Sequence, residues 1–178
     1  VPETQPEILL IARAARGDQR AFEQLYRTHV DRVYGLCLRM TRNTASAEDC
    51  TQQVFIQAWN ALPRFERRSA FNTWLHRIAV NTVLGQRRSV MDVVLTAVPG
   101  EANETDVVFD TPVEVAEMEA AIDRLPEGAR DVLILAGIYG YSHGEVASML
   151  GLAEGTCKAQ LHRARQLLRE RLSLEAYG

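Results

Sequence analysis

Apolar residues recur along this chain at helical spacing almost from end to end, and strand-like alternation is nearly absent. Ile8 to Arg16 predicts a short helix stopped by Gly17, and Asp18 is a good N-cap for the next. Residues 19–42 predict a long helix, with Phe22, Leu25, Tyr26, Val33, Leu36, Cys37 and Met40 near helical spacing. Residues 46–61 predict a third, with Val54, Phe55, Ala58 and Leu62 turned inward and Pro63 behind it. From Ala70 to about Arg88, Phe71, Trp74, Leu75 and Ile78 repeat at i, i+3, i+4 and i+7, and Val83 continues the stripe of a fourth helix.

Residues 89–111 break the period. Pro99-Gly100, Asn103 and five acids read as a linker. Its two apolar clusters, Val93-Val94-Leu95 and Val107-Val108-Phe109, could dock on something or be plain linker. Pro112 precedes a helix to Leu125, and Pro126 opens another to about Ile138. The pattern therefore predicts an all-α chain: a domain over 1–88, a flexible acidic linker over 89–111, and a domain over 112–178. Each domain is under ~100 residues, a size at which core stability is modest.

The last third is the most specific. In Tyr141–Arg171, a short helix, a Gly-Leu turn and a longer Arg-rich helix follow without a gap, the outline of a helix-turn-helix. Ser142 and Glu145 have the S-x-x-E spacing of a capping box. Gly151 sits where a left-handed residue would end the first helix, and Val146, Leu150 and Leu152 can pack beneath the second. At about 100° per residue, Cys157, Leu161, Ala164, Leu168 and Leu172 form one apolar stripe. Gly155, Ala159, His162, Arg163 and Gln166 fall opposite, with Lys158 and Arg165 on a flank. That face could enter a DNA major groove; an amphipathic helix with a solvated basic face would read the same way.

Charge sharpens the picture. The net charge of −3 hides an uneven distribution: residues 1–88 carry 13 arginines against 8 acids, residues 89–111 carry 5 acids and no base, and residues 112–178 carry 7 bases against 10 acids. A basic stripe thus exists in each half. Lys158 is the only lysine. Arginine suits phosphate and guanine recognition, although an arginine-favouring, GC-rich genome accounts for that equally well. The three cysteines, Cys37, Cys50 and Cys157, lie inside helical patterns without metal-ligand spacing, so free thiols in a reducing cytoplasm are expected, with no metal or cofactor. No signal peptide is read, nor any apolar run long enough to span a membrane. His29, His76 and His143 read as surface or capping residues.

Arg64–Arg88 alternates bases with Phe65, Phe71 and Trp74. Rings that stack bases and cations that hold a backbone are what single-stranded nucleic acid needs. Phe71 and Trp74 also fit the inward stripe, which leaves Phe65 and residues 66–69 as the better contacts.

Four segments in order, AEDCTQQVFIQAW (47–59), SAFNTWLHRIAVN (69–81), LP-x-x-x-R (125–130) and GT-x-K-x-x-L-x-RAR (155–165), resemble the bacterial extracytoplasmic-function sigma factors of the sigma-70 family over about residues 8–172. The resemblance implies a sigma-2 helical bundle and a sigma-4 helix-turn-helix domain. Together they would bind core RNA polymerase and direct promoter-specific initiation, without enzymatic activity. It places Asp49, Gln52, Gln53, Phe55 and Trp59 on the polymerase-binding helix, with core packing an equal reading of the two rings. It assigns Phe65, Arg67, Arg68, Ser69, Asn72, Trp74, Arg77 and Asn81 to the melted −10 element. Thr156, Lys158, Ala159, Gln160, His162, Arg163 and Arg165 would face the −35 duplex. An anti-sigma partner is expected from the family alone. Three positions depart from the pattern: Gln53 stands where an acid is usual, Ala153 where a serine cap is usual, and Gln160 where an arginine often touches DNA. A stand-alone helix-turn-helix regulator would leave 46–81 unexplained. A sigma-like mimic that sequesters an anti-sigma factor would not need the basic residues.

Overall fold

The computed structural model describes residues 5–96 and 113–175, and every element among them is helical. The chain divides into two compact units, Val1–Glu104 and Thr105–Gly178.

The first unit holds α1 (Gln5–Ala14), α2 (Gln19–Thr41), α3 (Thr44–Ala61) and α4 (Phe71–Thr96). Asp18 starts α2 by accepting the Ala21 N–H at 3.1 Å, and Arg13 pairs with the same carboxylate at 2.7 Å. Those two contacts hold the Asp18 carboxyl below its ordinary range. Arg42, left-handed at φ 57°, closes α2, and Asn43 caps α3 through the Ser46 N–H at 2.8 Å. This tight turn lays α3 against α2. Leu25, Val33, Leu36 and Met40 of α2 meet Val54 and Ala58 of α3 and Phe71, Leu75, Val80 and Val83 of α4, all at most 1% exposed. Apart from Ala58, each such side chain contributes about 1.5–3 kcal/mol by burial.

Helix α4 runs past the expected end at Arg88 to Thr96. No glycine or proline interrupts 86–96, so the Val93-Val94-Leu95 cluster, expected in the linker, lies on a helix. The Val107-Val108-Phe109 cluster lies outside the described residues. The histidines also correct the sequence reading. His29 is buried and bonds Glu7 at 2.8 Å, tying α2 to α1, and His76 is fully buried. Both occupy positions on inward helix faces that were read as polar only from residue type.

The second unit holds α5 (Val113–Asp123), α6 (Glu127–Leu133), α7 (His143–Leu150) and α8 (Glu154–Glu175), with α8 packed on the other three. The helix expected to reach Ile138 widens after Leu133 into a π turn over Ile134–Ile138, where the Tyr139 N–H reaches the Ile134 carbonyl at 3.0 Å. Gly137 fits there because a Cβ would lie 3.2 Å from Leu133 Cδ1. Arg130, 6% exposed, donates to the Asp123 and Leu125 carbonyls at 3.4 Å, so the arginine of the LP-x-x-x-R motif satisfies the end of α5.

The capping box forms as expected: Ser142 accepts the Glu145 N–H at 3.3 Å, and Glu145 accepts the Ser142 N–H at 2.9 Å. Gly151, φ 67°, ends α7. Cys157, Leu161 and Ala164 of the apolar stripe are buried and Leu168 and Leu172 are half-buried; Val146 of α7 is buried and Leu150 half-buried. Leu152 is 38% exposed rather than packed beneath α8.

Candidate nucleic-acid interface

Helix α3 turns Asp49, Gln52 and Gln53 outward, together with Ile56, which is 56% exposed. Phe55 differs. It is 5% exposed, on the side of α3 that carries Thr51, Val54 and Ala58, and packs against Tyr26 at 4.7 Å. The packing reading of this ring holds, and the ring also lines the groove between α2 and α3. Trp59 is half-buried, 4.9 Å from the Phe22 ring. These rings, with Val30 and Ile56, line an apolar groove of about 690 Å3 between α2 and α3. The exposed Ile56 was the signal missed in the sequence: it sits one position off the inward stripe, where an apolar side chain is unexplained by packing.

The loop before α4 and the outer face of α4 form a second surface. Phe65, expected as an exposed contact, is half-buried and tilts over Trp74 at 4.7 Å, while Phe71 is in the core. The ring cluster holds the loop base; Arg67 and Arg68 at its crest are exposed. Arg67 has φ 56°, a left-handed conformation that a non-glycine residue adopts only where its surroundings enforce it. Arg68 pairs with Glu66 at 2.6 Å, but both are exposed, so the pair contributes at most ~1 kcal/mol. Ser69, Asn72 and Arg77 are half-buried and Asn81 is exposed. Asn72 Oδ1 and Arg77 Nε are buried without a hydrogen-bond partner, polar groups that a ligand on this face could satisfy. Arg88, left out of the sequence-derived set, is exposed at i+11 from Arg77 and i+7 from Asn81, on the same helical stripe. Its neighbour Arg87 instead donates to the Met40 carbonyl, which makes it structural.

On α8, Thr156, Lys158, Ala159, His162, Arg163 and Arg165 are all exposed. Lys158 pairs with Glu154 at 2.9 Å, and that contact holds the Glu154 carboxyl below its ordinary range. Gln160 departs from the set. It is half-buried and passes over Gly128 of α6, where an added Cβ would lie 3.5 Å from its Nε2. Ala153 starts the helix with its carbonyl, which accepts the Cys157 N–H at 3.1 Å, but has no side chain to cap it.

Each unit thus presents one polar-basic face on a rigid helix. Comparison with known proteins places both units. Residues 25–91 match Sigma-70 region 2, and residues 116–168 match Sigma-70, region 4. The chain is 34% identical to the ECF RNA polymerase sigma factor SigE of Mycolicibacterium smegmatis, over 89% of this chain and 65% of that relative's length. It is 34% identical to the RNA polymerase sigma-H factor of Pseudomonas aeruginosa, over 89% of this chain and 90% of the relative. Among solved structures it resembles the sigma factor RpoE in complex with the anti-sigma factor NepR from Bartonella quintana. The TM-score is 0.72 at 26% identity, covering 85% of this chain and 96% of the other.

Proposed function

The chain belongs to the ECF group of RNA polymerase sigma factors, and from that premise we propose how its residues divide the work of promoter-specific transcription initiation. The observation that carries the reading is the ordered pair of helical units, each with an exposed polar-basic helix face at the positions the motifs name.

Asp49, Gln52 and Gln53 on α3 dock on core polymerase, with Ile56 and the α2–α3 groove supplying apolar area. Trp59 braces that groove. Arg67, Arg68 and Ser69 of the loop, with Asn72, Arg77, Asn81 and Arg88 on α4, hold the −10 strand once it is melted. The Phe65–Trp74 pair keeps the loop in shape and offers a ring edge to an unstacked base. Thr156, Lys158, Ala159, His162, Arg163 and Arg165 meet the −35 duplex. Arginine is the best guanine reader among them. The protein positions and captures strands; polymerase supplies the covalent chemistry. Among the described residues no helix is long and apolar enough to cross a membrane, which fits work beside the polymerase in the cytoplasm. The RpoE–NepR complex supports an anti-sigma partner for this chain as well.

Two substitutions separate the roles. Arg163→Ala should lower transcription from a −35-dependent promoter about tenfold or more while leaving affinity for core polymerase unchanged. Asp49→Ala should weaken core binding, measured by titration against labelled polymerase. Lost polymerase binding in the Arg163 variant, or normal binding in the Asp49 variant, would remove that residue from its assigned face.

A further inference from the structure

In the first two turns of α8, Lys158 is the only base and Glu154 the only acid. That end of a helix-turn-helix recognition helix is the one that reaches base edges. The two side chains stand one helical turn apart, and Lys158 Nζ lies 2.9 Å from Glu154 Oε1. The other carboxylate oxygen lies over the first turn of α7: a Cβ added at Gly144 would be 3.9 Å from Oε2. Negative charge is favoured at such a helix start. His143, the first residue of α7, is close enough to add to the pull of Lys158 on that carboxyl, which stays below its ordinary range. Glu154 is therefore an anion at neutral pH, held from α8 and from α7. By contrast, no acid stands within four residues of Arg163 or Arg165. Both members of the Glu154–Lys158 pair are exposed, and exposed pairs add little to stability, so the fold does not account for an acid at this place.

We propose that Glu154 is an internal competitor for phosphate: its carboxylate holds Lys158 back from the DNA backbone, and duplex must displace that contact before the ammonium meets a phosphate. The inference rests on the reading of α8 as the duplex-facing helix and adds to it a brake that lowers affinity for every duplex by the same factor. Sites without base contacts are then left unoccupied, and a site is held only where Arg163 and its neighbours gain such contacts.

The test removes the charge in the full chain. Glu154→Gln, which keeps the shape of the side chain, and Glu154→Ala are titrated by fluorescence anisotropy against two short duplexes. One has a random sequence; the other carries a −35 element taken from a mapped transcription start. Affinity of both variants should rise about threefold at low salt, equally on the two duplexes. The slope of log affinity against log salt should steepen by about 0.9, because the released ammonium neutralises about one more phosphate. In a Lys158→Ala background, Glu154→Gln should no longer raise affinity. Unchanged affinity and salt slope in both single variants would overturn the proposal. So would a rise that persists in the Lys158→Ala background, since the acid would then act as bulk charge and not through Lys158. A loss confined to the −35 duplex would overturn it by making Glu154 itself a base reader. Arg163→Ala with unchanged −35 duplex binding is a separate result, and it would sink the reading of α8 on which the proposal stands.

Discussion

At the scale of the residue, the clearest surprise is His76. Burial, with Arg32 and His29 adding to it, pushes its imidazole down to about 3 from an ordinary 6.5. The folded protein therefore keeps His76 neutral where the unfolded chain takes up a proton. Its contribution to stability is complete above pH 6.5 and is lost as the pH falls from there towards 3. The slope is about 1.4 kcal/mol per pH unit for one proton. Urea unfolding at pH 6.5 and pH 5 should show this loss; equal stability at both would contradict the burial. Residue type had suggested a surface histidine, and only the helix face shows otherwise. Phe55, Phe65 and Gln160 carry the same lesson. Motif position does not say how a side chain packs: Phe55 turns to Tyr26, Phe65 to Trp74, and Gln160 to Gly128. The outward direction of Arg163 was legible from helical period, whereas Asp49, Gln52 and Asn81, exposed as well, were marked by the motifs of the resemblance.

At the scale of the element, local chemistry wrote most boundaries into the sequence. Asp18, Ser142 with Glu145, and Gly151 act at the helix ends where they were expected. The C-terminal end of α4 was not legible, since a fall in basic charge resembles a linker while a breaker-free run keeps the helix going to Thr96. The π turn was equally hidden, because its apolar residues keep a helix-like pattern while the ladder widens by one residue. The capping box gives a direct test. Ser142→Ala removes the acceptor for the Glu145 N–H and should cost about 1 kcal/mol. Amide exchange along α7 should rise roughly fivefold, with α2 and α3 unchanged. No change in α7 would mean that tertiary packing alone fixes the start of the helix-turn-helix.

At the scale of the whole molecule, two units each below the size of a strong core are joined in one chain, and on the proposed function each carries a face for a different state of DNA. In the proposed division of work, α4 and its preceding loop supply the rings and irregular backbone that melted strand needs, and α8 supplies the straight helix with outward polar groups that duplex needs. The proposed polymerase contact on α3 would bring both to one enzyme, so neither unit alone should select a promoter. The most direct measurement is transcription of host genomic DNA by purified core RNA polymerase, with and without this protein, mapping the RNA 5′ ends. New starts that share a −10 and −35 pair, and that depend on Arg163 and Asp49, are the expected result. Polymerase binding without new starts, or no polymerase binding at all, would contradict the account.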